Sequence, residues 1–397
     1  MPSAREWWSF GASVYLPSLL YGIGAGAVTP VIVLTARDLG ASLATSSVLL
    51  AVMGAGKILG DIPAGALADR LGERMAMFVA SALTIGALFL CIHAESILAL
   101  ALGVGLLGAG SAVWGLARHA YLTQVMPFHL RGRALSTLGG TQRIGLFLGP
   151  FLGAAAIGPL GLRGAYWVHV VATALATLAL FLVPDAPRSG RHGNAHEAGR
   201  GTVNVVRDHW PVLRTLGVGA LMISAVRSSR QVIVPLWADQ LQLSPATTSI
   251  VFGVSGAVDM LLFYPSGLAM DRLGRRSMVV ASMVGLGVAH VVLPLSTGAI
   301  GLMAVASLMG LGNGLSAGAN MTIGADASPA ANRATFLGAW RLLSDVGAGL
   351  GPLAVGALTF ATALGPAAIV MGGIAGFCAW NMAHWLPPGR PQADSGA

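Results

Sequence analysis

Charged residues are scarce in this chain of 397 residues, where Asp, Glu, Lys and Arg together make up 10% of the sequence. Hydrophobic residues make up 55%, and the mean hydropathy is +0.75. So little charge excludes a soluble domain of ordinary composition, and it is typical of a protein that lies in a bilayer.

Cysteine is almost absent too: Cys91 and Cys378 lie far apart in apolar runs, and we interpret both as small core hydrophobes. The sequence also lacks an H-E-x-x-H motif and a phosphate-binding loop. We therefore expect no catalytic residue, no metal and no cofactor. A membrane enzyme or a sensor stays a distant alternative.

Long apolar runs dominate what is present. A spanning helix needs about 20 mostly apolar residues, and such windows begin near residues 11, 43, 75, 97, 132, 163, 211, 245, 277, 299, 333 and 363. With a cytoplasmic N-terminus, fourteen arginines fall on the inner side, against Arg37 and Arg163 outside. This bias predicts an all-α protein of 12 transmembrane helices, multi-pass in the cytoplasmic (inner) membrane, with both termini in the cytoplasm.

The chain repeats itself at an offset of 202 residues without a gap. GALADRLGER at 65–74 returns as GLAMDRLGRR at 267–276, and one register holds over about 115 residues. We predict two six-helix halves, 1–184 and 211–397, joined by a cytoplasmic linker, 185–210. Two such bundles with parallel topology are the arrangement of two-bundle secondary transporters.

The repeated loop resembles the signature of the major facilitator superfamily, G-x-x-x-D-R-x-G-R-R, although Glu73 stands where that family has a basic residue. The resemblance implies two pseudo-symmetric bundles and a loop that latches the inner gate closed. Ordinary positive loop charge is the alternative. The latch residues are Gly65, Asp69, Arg70, Gly72 and Arg74, and Gly267, Asp271, Arg272, Gly274 and Arg276.

A second motif resembles the glycine–proline signature that this family associates with exporters. Proline bends a helix, and glycine permits close helix packing. We expect export from this motif. Uptake is the alternative, because the motif recurs in the second half and is therefore less diagnostic. Its residues are Gly145, Gly149, Pro150 and Gly153 in the fifth span and Gly351 and Pro352 in the eleventh.

Ionised side chains inside a membrane are costly, and each needs a partner or a function. In the architecture that the resemblance implies, the second span packs on the eleventh and the fifth on the eighth. Counting depth along these spans then predicts three ion pairs, with a role in gating and proton coupling or with a permanent structural role. The pairs are Lys57–Asp345, Arg143–Asp259 and Asp61–Arg341.

These pairings leave Arg118, Arg227 and Arg230 without an acidic partner, and such arginines in a central cavity favour an anionic substrate. Arginines bonded to backbone carbonyls or snorkelling outward are the alternative. Further expected cavity residues are Tyr21, Gln142, Gln231, Asn313 and Asn320.

The sequence therefore predicts a transporter that moves a small or amphiphilic organic anion by alternating access, as proton-coupled export. Proton symport uptake and anion exchange by the same fold are the alternatives. The expected partners are the substrate and the lipid bilayer, without nucleic acid, and the expected state is a monomer.

Overall fold

The structure, a computed structural model of the chain, describes residues 14–126, 130–181, 207–316, 318–329 and 332–387, and all regular elements among these residues are helical. We number the long helices in chain order. They are α1 Leu16–Asp38, α2 Leu43–Leu71, α3 Glu73–Ile92, α4 Ile97–Val125, α5 Arg131–Leu160, α6 Arg163–Leu180, α7 Val218–Gln240, α8 Pro245–Leu273, α9 Arg275–Val292, α10 Gly298–Leu315, α11 Arg333–Ala361 and α12 Leu364–Trp385.

These helices match the spans that the hydropathy of the sequence predicts. Among the described residues, 10 helices are long and apolar enough to cross a membrane. The other two are α6 and α7, whose apolar runs are interrupted by polar side chains such as His169, Arg227 and Arg230. The all-helical membrane fold is thus confirmed.

Short irregular segments interrupt the helical pattern. A π-helical turn, Leu213–Gly217, precedes α7. After α10, the chain turns at Gly318 (φ 81°) and continues as the short helix Ala319–Ala327. Glycine is suited to this turn because a side chain disfavours positive φ.

The chain divides into two compact units. Unit 1 comprises Met1–Ser189 and Ala238–Gly253, and unit 2 comprises Gly190–Trp237 and Val254–Ala397. The predicted division at 1–184, 185–210 and 211–397 stays a prediction, and residues 185–206 of the linker lie outside the described residues.

In unit 1, α1 packs on α5 and α6, α2 packs on α4, and α3 packs on α4 and α6. The core contains large side chains that are almost fully buried, including Trp114, Tyr121 and Leu138. In unit 2, α9 packs on α10 and α12, and α11 packs on α12.

Equivalent helices begin with equivalent caps, as expected of a duplicated unit. The Ser42 hydroxyl accepts the backbone N–H of Thr45 at the start of α2, and Ser244 caps Thr247 at the start of α8 in the same way, each at 3.1 Å. A serine cap satisfies one of the backbone donors that every helix start leaves open.

The glycines of the predicted helix-bend motif hold helices against each other. A Cβ on Gly149 would collide with the carbonyl oxygen of Ile23 in α1, and one on Gly351 would collide with that of Ala225 in α7. Both residues of the second contact lie 202 positions after the corresponding residues of the first. Pro150 and Pro352 both lie inside helices that continue past them. The motif therefore provides backbone-to-backbone packing within each unit.

Adding one methyl group at such a contact should weaken the fold. We expect Gly149→Ala to lower the melting temperature in detergent, since overpacking typically costs about 1–3 kcal/mol. Gly139→Ala is the matched control on α5, because a Cβ there would meet nothing within 4 Å. Alanine favours a helix over glycine by about 1 kcal/mol, so this control should melt at or above the wild-type temperature. Equal melting of the two variants would contradict the packing role.

Candidate functional site

Arg118 lies inside unit 1 on α4, with only 4% of its surface exposed. One terminal nitrogen donates to Oε1 of Gln142 on α5 at 2.8 Å. Its Nε and its other terminal nitrogen are buried and have no hydrogen-bond acceptor among the described residues. This buried guanidinium therefore keeps donor capacity for a group that is not part of the described chain.

A small cavity adjoins this guanidinium. Arg118 and Trp114, one turn apart on α4, line it together with Ser18, Tyr121 and apolar side chains of α1, α3 and α6. The indole nitrogen of Trp114 is also buried without a hydrogen-bond acceptor among the described residues. Both side chains that carry these N–H donors therefore line one cavity of about 10 Å³, and N–H donors of this kind are the groups that bind anions.

Tyr21 of α1 supports this cavity from the side. Its ring stacks on Trp114 at 4.9 Å between centroids, and its hydroxyl lies 3.4 Å from the Thr84 hydroxyl of α3. The sequence-predicted residues Arg118, Gln142 and Tyr21 are therefore neighbours in unit 1.

Two buried histidines, one in each unit, were not expected from the sequence. His169 of α6 meets the edge of Tyr21 at 5.5 Å. In unit 2, His290 of α9 lies 3.0 Å from the Ser229 hydroxyl and 2.8 Å from the Leu286 carbonyl oxygen. A lone histidine inside an apolar run, as in YWVHVVAT, is the sequence signal that points to such a residue.

In unit 2, the arginines of α7 belong to a hydrogen-bonded cluster of polar side chains. Arg227 donates to the side-chain oxygen of Asn313 at 2.6 Å, and Asn313 donates to Asp259 at 2.7 Å. Arg230 lies 3.9 Å from the same Asp259 oxygen and 3.2 Å from the Ser255 hydroxyl. The expectation that Arg230 has no acidic partner is therefore wrong, because Asp259 lies on the facing helix α8.

The repeat places the same contact at equivalent positions of the two units with different chemistry. Arg118 contacts Gln142 in unit 1, and Asn320 donates to Ser344 at 3.0 Å in unit 2, at positions 202 residues later. Unit 1 is thus charged where unit 2 is neutral. Gln231 lies half-buried on α7 beside Arg230.

The predicted gating residues Lys57, Asp61 and Arg143 are half-buried within unit 1. Their predicted partners belong to unit 2, so the three ion pairs stay predictions. Within unit 2, Arg341 lies 3.6 Å from Asp345, one turn later on α11. That contact was not expected.

Backbone geometry explains two glycines of the repeated loop, since Gly72 and Gly274 each join two helices, with φ values of 86° and 83°. Gly65 and Gly267 lie inside α2 and α8. In unit 1, Arg74 donates to the carbonyl oxygen of Leu180 at 3.1 Å, at the end of α6. Asp69 is exposed. The latch itself stays a prediction.

Glu73, which departs from the signature, has a specific partner. Its buried carboxylate accepts a hydrogen bond from the Gln124 side chain near the end of α4. At the equivalent positions of unit 2, Arg275 pairs with Asp326 at 2.5 Å. Both residues of this contact therefore differ between the two units: Glu73 and Gln124 in unit 1 correspond to Arg275 and Asp326 in unit 2.

Unit 1 contains another polar contact that links positions 202 residues apart. Arg37, at the end of α1, donates to Asp239 at 2.8 Å and to the Ala41 carbonyl oxygen at 2.5 Å. Equivalent positions of the repeat here have opposite charges.

The sequence profile of the Major Facilitator Superfamily matches residues 14–226 and again 216–396. The chain belongs to this superfamily. It is 26% identical over 280 residues to the glucose transporter GlcP of Staphylococcus epidermidis, covering 70% of this chain and 62% of that protein. It is 24% identical over 332 residues to plastidic glucose transporter 4 of Arabidopsis thaliana, covering 71% and 58%. This superfamily member therefore spans about three fifths of the length of these relatives.

Solved transporters have the same fold. The crystal structure of a D-xylose–proton symporter aligns with a TM-score of 0.75 at 16% identity, covering 96% of this chain and 98% of that one. The nucleoside transporter NupG aligns with a TM-score of 0.76 at 13% identity, covering 94% and 98%. At such identities the likeness establishes the fold alone. The family and the relatives are transporters, which agrees with the expectation that this chain is not an enzyme.

The equivalent contacts at positions 73 and 275 can be exchanged as an experiment. We expect Glu73→Arg alone to reduce the free energy of unfolding by about 1–3 kcal/mol and so to lower the melting temperature, since it buries an arginine against a neutral glutamine. Glu73→Arg with Gln124→Asp recreates the pair of unit 2 and should recover much of that loss. Melting of both single variants and the double variant completes the cycle. Additive effects of the two substitutions would show that the two positions do not interact.

Proposed function

We propose that this superfamily member is a secondary transporter that carries a small organic anion across the cytoplasmic membrane by alternating access. The observation that supports the anion is Arg118, which is buried with two nitrogens lacking an acceptor among the described residues. Its one described hydrogen-bond partner is the neutral Gln142.

The energetics of burial favour a negatively charged guest at this position. An ionised group without a hydrogen-bonded counter-charge is expensive inside a protein, and arginine does not escape that cost by losing its proton. A carboxylate offers acceptors in the geometry that guanidinium donors prefer. Binding of a carboxylate would therefore supply the acceptors that Arg118 lacks among the described residues.

The direction of transport does not follow from the glycine–proline motif. Gly149 and Gly351 pack helices in the same way in both units, so the motif is explained without export. Proton-coupled export remains part of the proposal as the sequence suggests it, and proton symport or anion exchange remain its alternatives. The half-buried aspartates Asp61, Asp259 and Asp345 are one group of candidate proton carriers.

A neutral sugar is the second candidate substrate. It is favoured by the relatives, two of which are named glucose transporters, and by a structure named as a D-xylose–proton symporter. Sugars are bound by amide and hydroxyl side chains, which Gln142, Asn320 and Ser344 supply. Matched pairs of probes separate the two candidates.

We expect carboxylates to raise the melting temperature of the purified protein and their neutral counterparts to leave it unchanged. The pairs are gluconate with glucose, and benzoate with benzamide. Arg118→Gln should weaken carboxylate binding about 10- to 100-fold, the value of charge-assisted hydrogen bonds worth about 1.5–3 kcal/mol. The empty Arg118→Gln protein should melt at or above the wild-type temperature, because a buried, unmatched charge is gone.

Arg214→Gln is the control, since Arg214 is an exposed arginine at the start of the seventh span. It should bind the carboxylates like the wild type. Stabilisation by glucose but not by gluconate would refute the anion and favour the sugar.

Flux in proteoliposomes tests direction and coupling. With an imposed pH gradient, proton-coupled export predicts that benzoate moves against the inward proton flow, and that collapsing the gradient with an uncoupler stops accumulation. Benzoate movement along the proton flow would rule out exchange for protons. Transport that ignores the gradient would remove the proton from the proposal.

A further inference from the structure

The cavity that Arg118 lines is very small. Its volume of about 10 Å³ is close to the space that a single water molecule needs, roughly 10–15 Å³. Pro17 of α1, Met77 of α3 and Leu180 at the end of α6 form apolar parts of its wall. The cavity therefore has room for a guest of one heavy atom, or for one atom of a larger ligand.

The wall of this cavity includes a buried positive charge. Arg118 is 4% exposed and forms no salt bridge among the described residues, and arginine keeps its proton inside proteins. Its Nε and Nη1 and the indole nitrogen of Trp114 are buried without an acceptor among those residues. On the helices that line the cavity, the acids are Asp38 and Glu73, and both lie at helix ends. A negatively charged guest would therefore match both the charge and the donors.

A chloride ion suits this environment better than a water molecule does. Water accepts hydrogen bonds from N–H donors but does not offset the charge of a guanidinium, and a buried charge without compensation is expensive. A whole carboxylate, phosphate or sulfate group exceeds the volume of the cavity. A halide ion is a single atom with one negative charge, and it accepts hydrogen bonds from several directions while it contacts apolar carbon.

The hydroxyl of Ser18 also lines the cavity, but it adds no donor. It donates to the Val14 carbonyl oxygen of its own helix at 2.9 Å. The N–H groups for a bound ion therefore come from Arg118 and Trp114.

Unit 2 has uncharged side chains at the equivalent positions, 202 residues later. Arg118 corresponds to Asn320, whose side chain donates to the Ser344 hydroxyl at 3.0 Å. Trp114 corresponds to Ser316, which accepts a hydrogen bond from a serine of α9 at 2.8 Å. Both replacements thus have neighbouring hydroxyls as partners. An anion site that depends on a buried charge is therefore expected at these positions in unit 1 and not in unit 2.

The apolar wall differs between the units as well. Leu180 and Pro17 line the cavity of unit 1, and their equivalents in unit 2 are Met382 and Gly219. A Cβ on Gly219 would overlap the Met382 side chain, so the methionine lies directly against the glycine backbone. Side-chain volume is thus distributed differently around the equivalent point of unit 2.

From this arrangement we propose that the cavity of unit 1 binds one chloride ion, held by the guanidinium of Arg118 and the indole N–H of Trp114, and that a substrate carboxylate competes with this ion. The chloride site depends on the cavity and its donors alone. The competition rests on the proposed function, because it requires that a carboxylate also binds Arg118. One carboxylate oxygen then replaces the ion, since the cavity admits a single atom.

Chloride binding is measured on the purified full chain in methanesulfonate salts, with chloride replacing methanesulfonate at constant ionic strength. Methanesulfonate is the reference because it is too large for the cavity. Chloride and bromide should raise the melting temperature until the site is saturated, and the protein should broaden the chloride NMR line. Sulfate should leave the melting temperature unchanged.

Two variants test the donors. Arg118→Gln should weaken chloride binding about 10- to 100-fold and Trp114→Phe about 2- to 10-fold, the values of a charge-assisted and of a neutral hydrogen bond. Arg214→Gln and Trp167→Phe are the matched controls at exposed positions, and both should bind chloride like the wild type. Trp114→Phe keeps the charge and an aromatic ring, so it tests the site even where Arg118→Gln fails to fold.

Titrations with gluconate and benzoate test the competition. With chloride at about ten times its dissociation constant, the apparent dissociation constant of each carboxylate should rise about tenfold. Carboxylate binding that is independent of chloride overturns the competition.

The chloride site has its own contrary outcomes. Equal melting in chloride and methanesulfonate without line broadening overturns it, as does chloride binding at full strength in both Arg118→Gln and Trp114→Phe. Chloride binding without any carboxylate binding supports the site, refutes the proposed function and removes the competition with it.

Discussion

Removal of water from the interior of a spanning bundle is the constraint on which this structure depends. Each polar group inside must find its partner within the protein, because hydrocarbon offers none. Unit 2 contains a connected set in which Arg227 donates to Asn313, Asn313 donates to Asp259, and Arg230 lies 3.9 Å from Asp259. Unit 1 leaves Arg118 with unmatched donors among the described residues.

Gene duplication explains how one scaffold carries both solutions. Helix caps, loop glycines and the close helix contacts recur at equivalent positions, so the backbone of the repeat is preserved. Side-chain pairs at equivalent positions have diverged together: Arg118–Gln142 corresponds to Asn320–Ser344, and Glu73–Gln124 to Arg275–Asp326. In unit 1, where Arg118 and Glu73 are buried, removal of one member would leave a costly buried charge without its described partner.

The fold followed from the sequence because hydropathy, glycine patterns and the repeat all act locally along the chain. The site followed only in part. Arg118 and Gln142 were expected in one cavity, but their direct contact depends on how α4 faces α5. The Asp259 contact of Arg230 and the enclosure of His169 depend on helix rotation, which spacing in one sequence does not determine. Glu73 could only be understood once Gln124 was seen beside it.

The glycine contacts of α5 with α1, and of α11 with α7, also limit how this scaffold diversifies. Where Gly149 faces a carbonyl oxygen, no rotamer can adjust and no smaller residue exists to compensate a larger neighbour. Residues at these glycine contacts therefore cannot be exchanged one at a time for larger ones. Substitution is easier where a side chain meets a side chain, as at positions 118 and 142, so the shared backbone directs sequence change to interior positions of that kind.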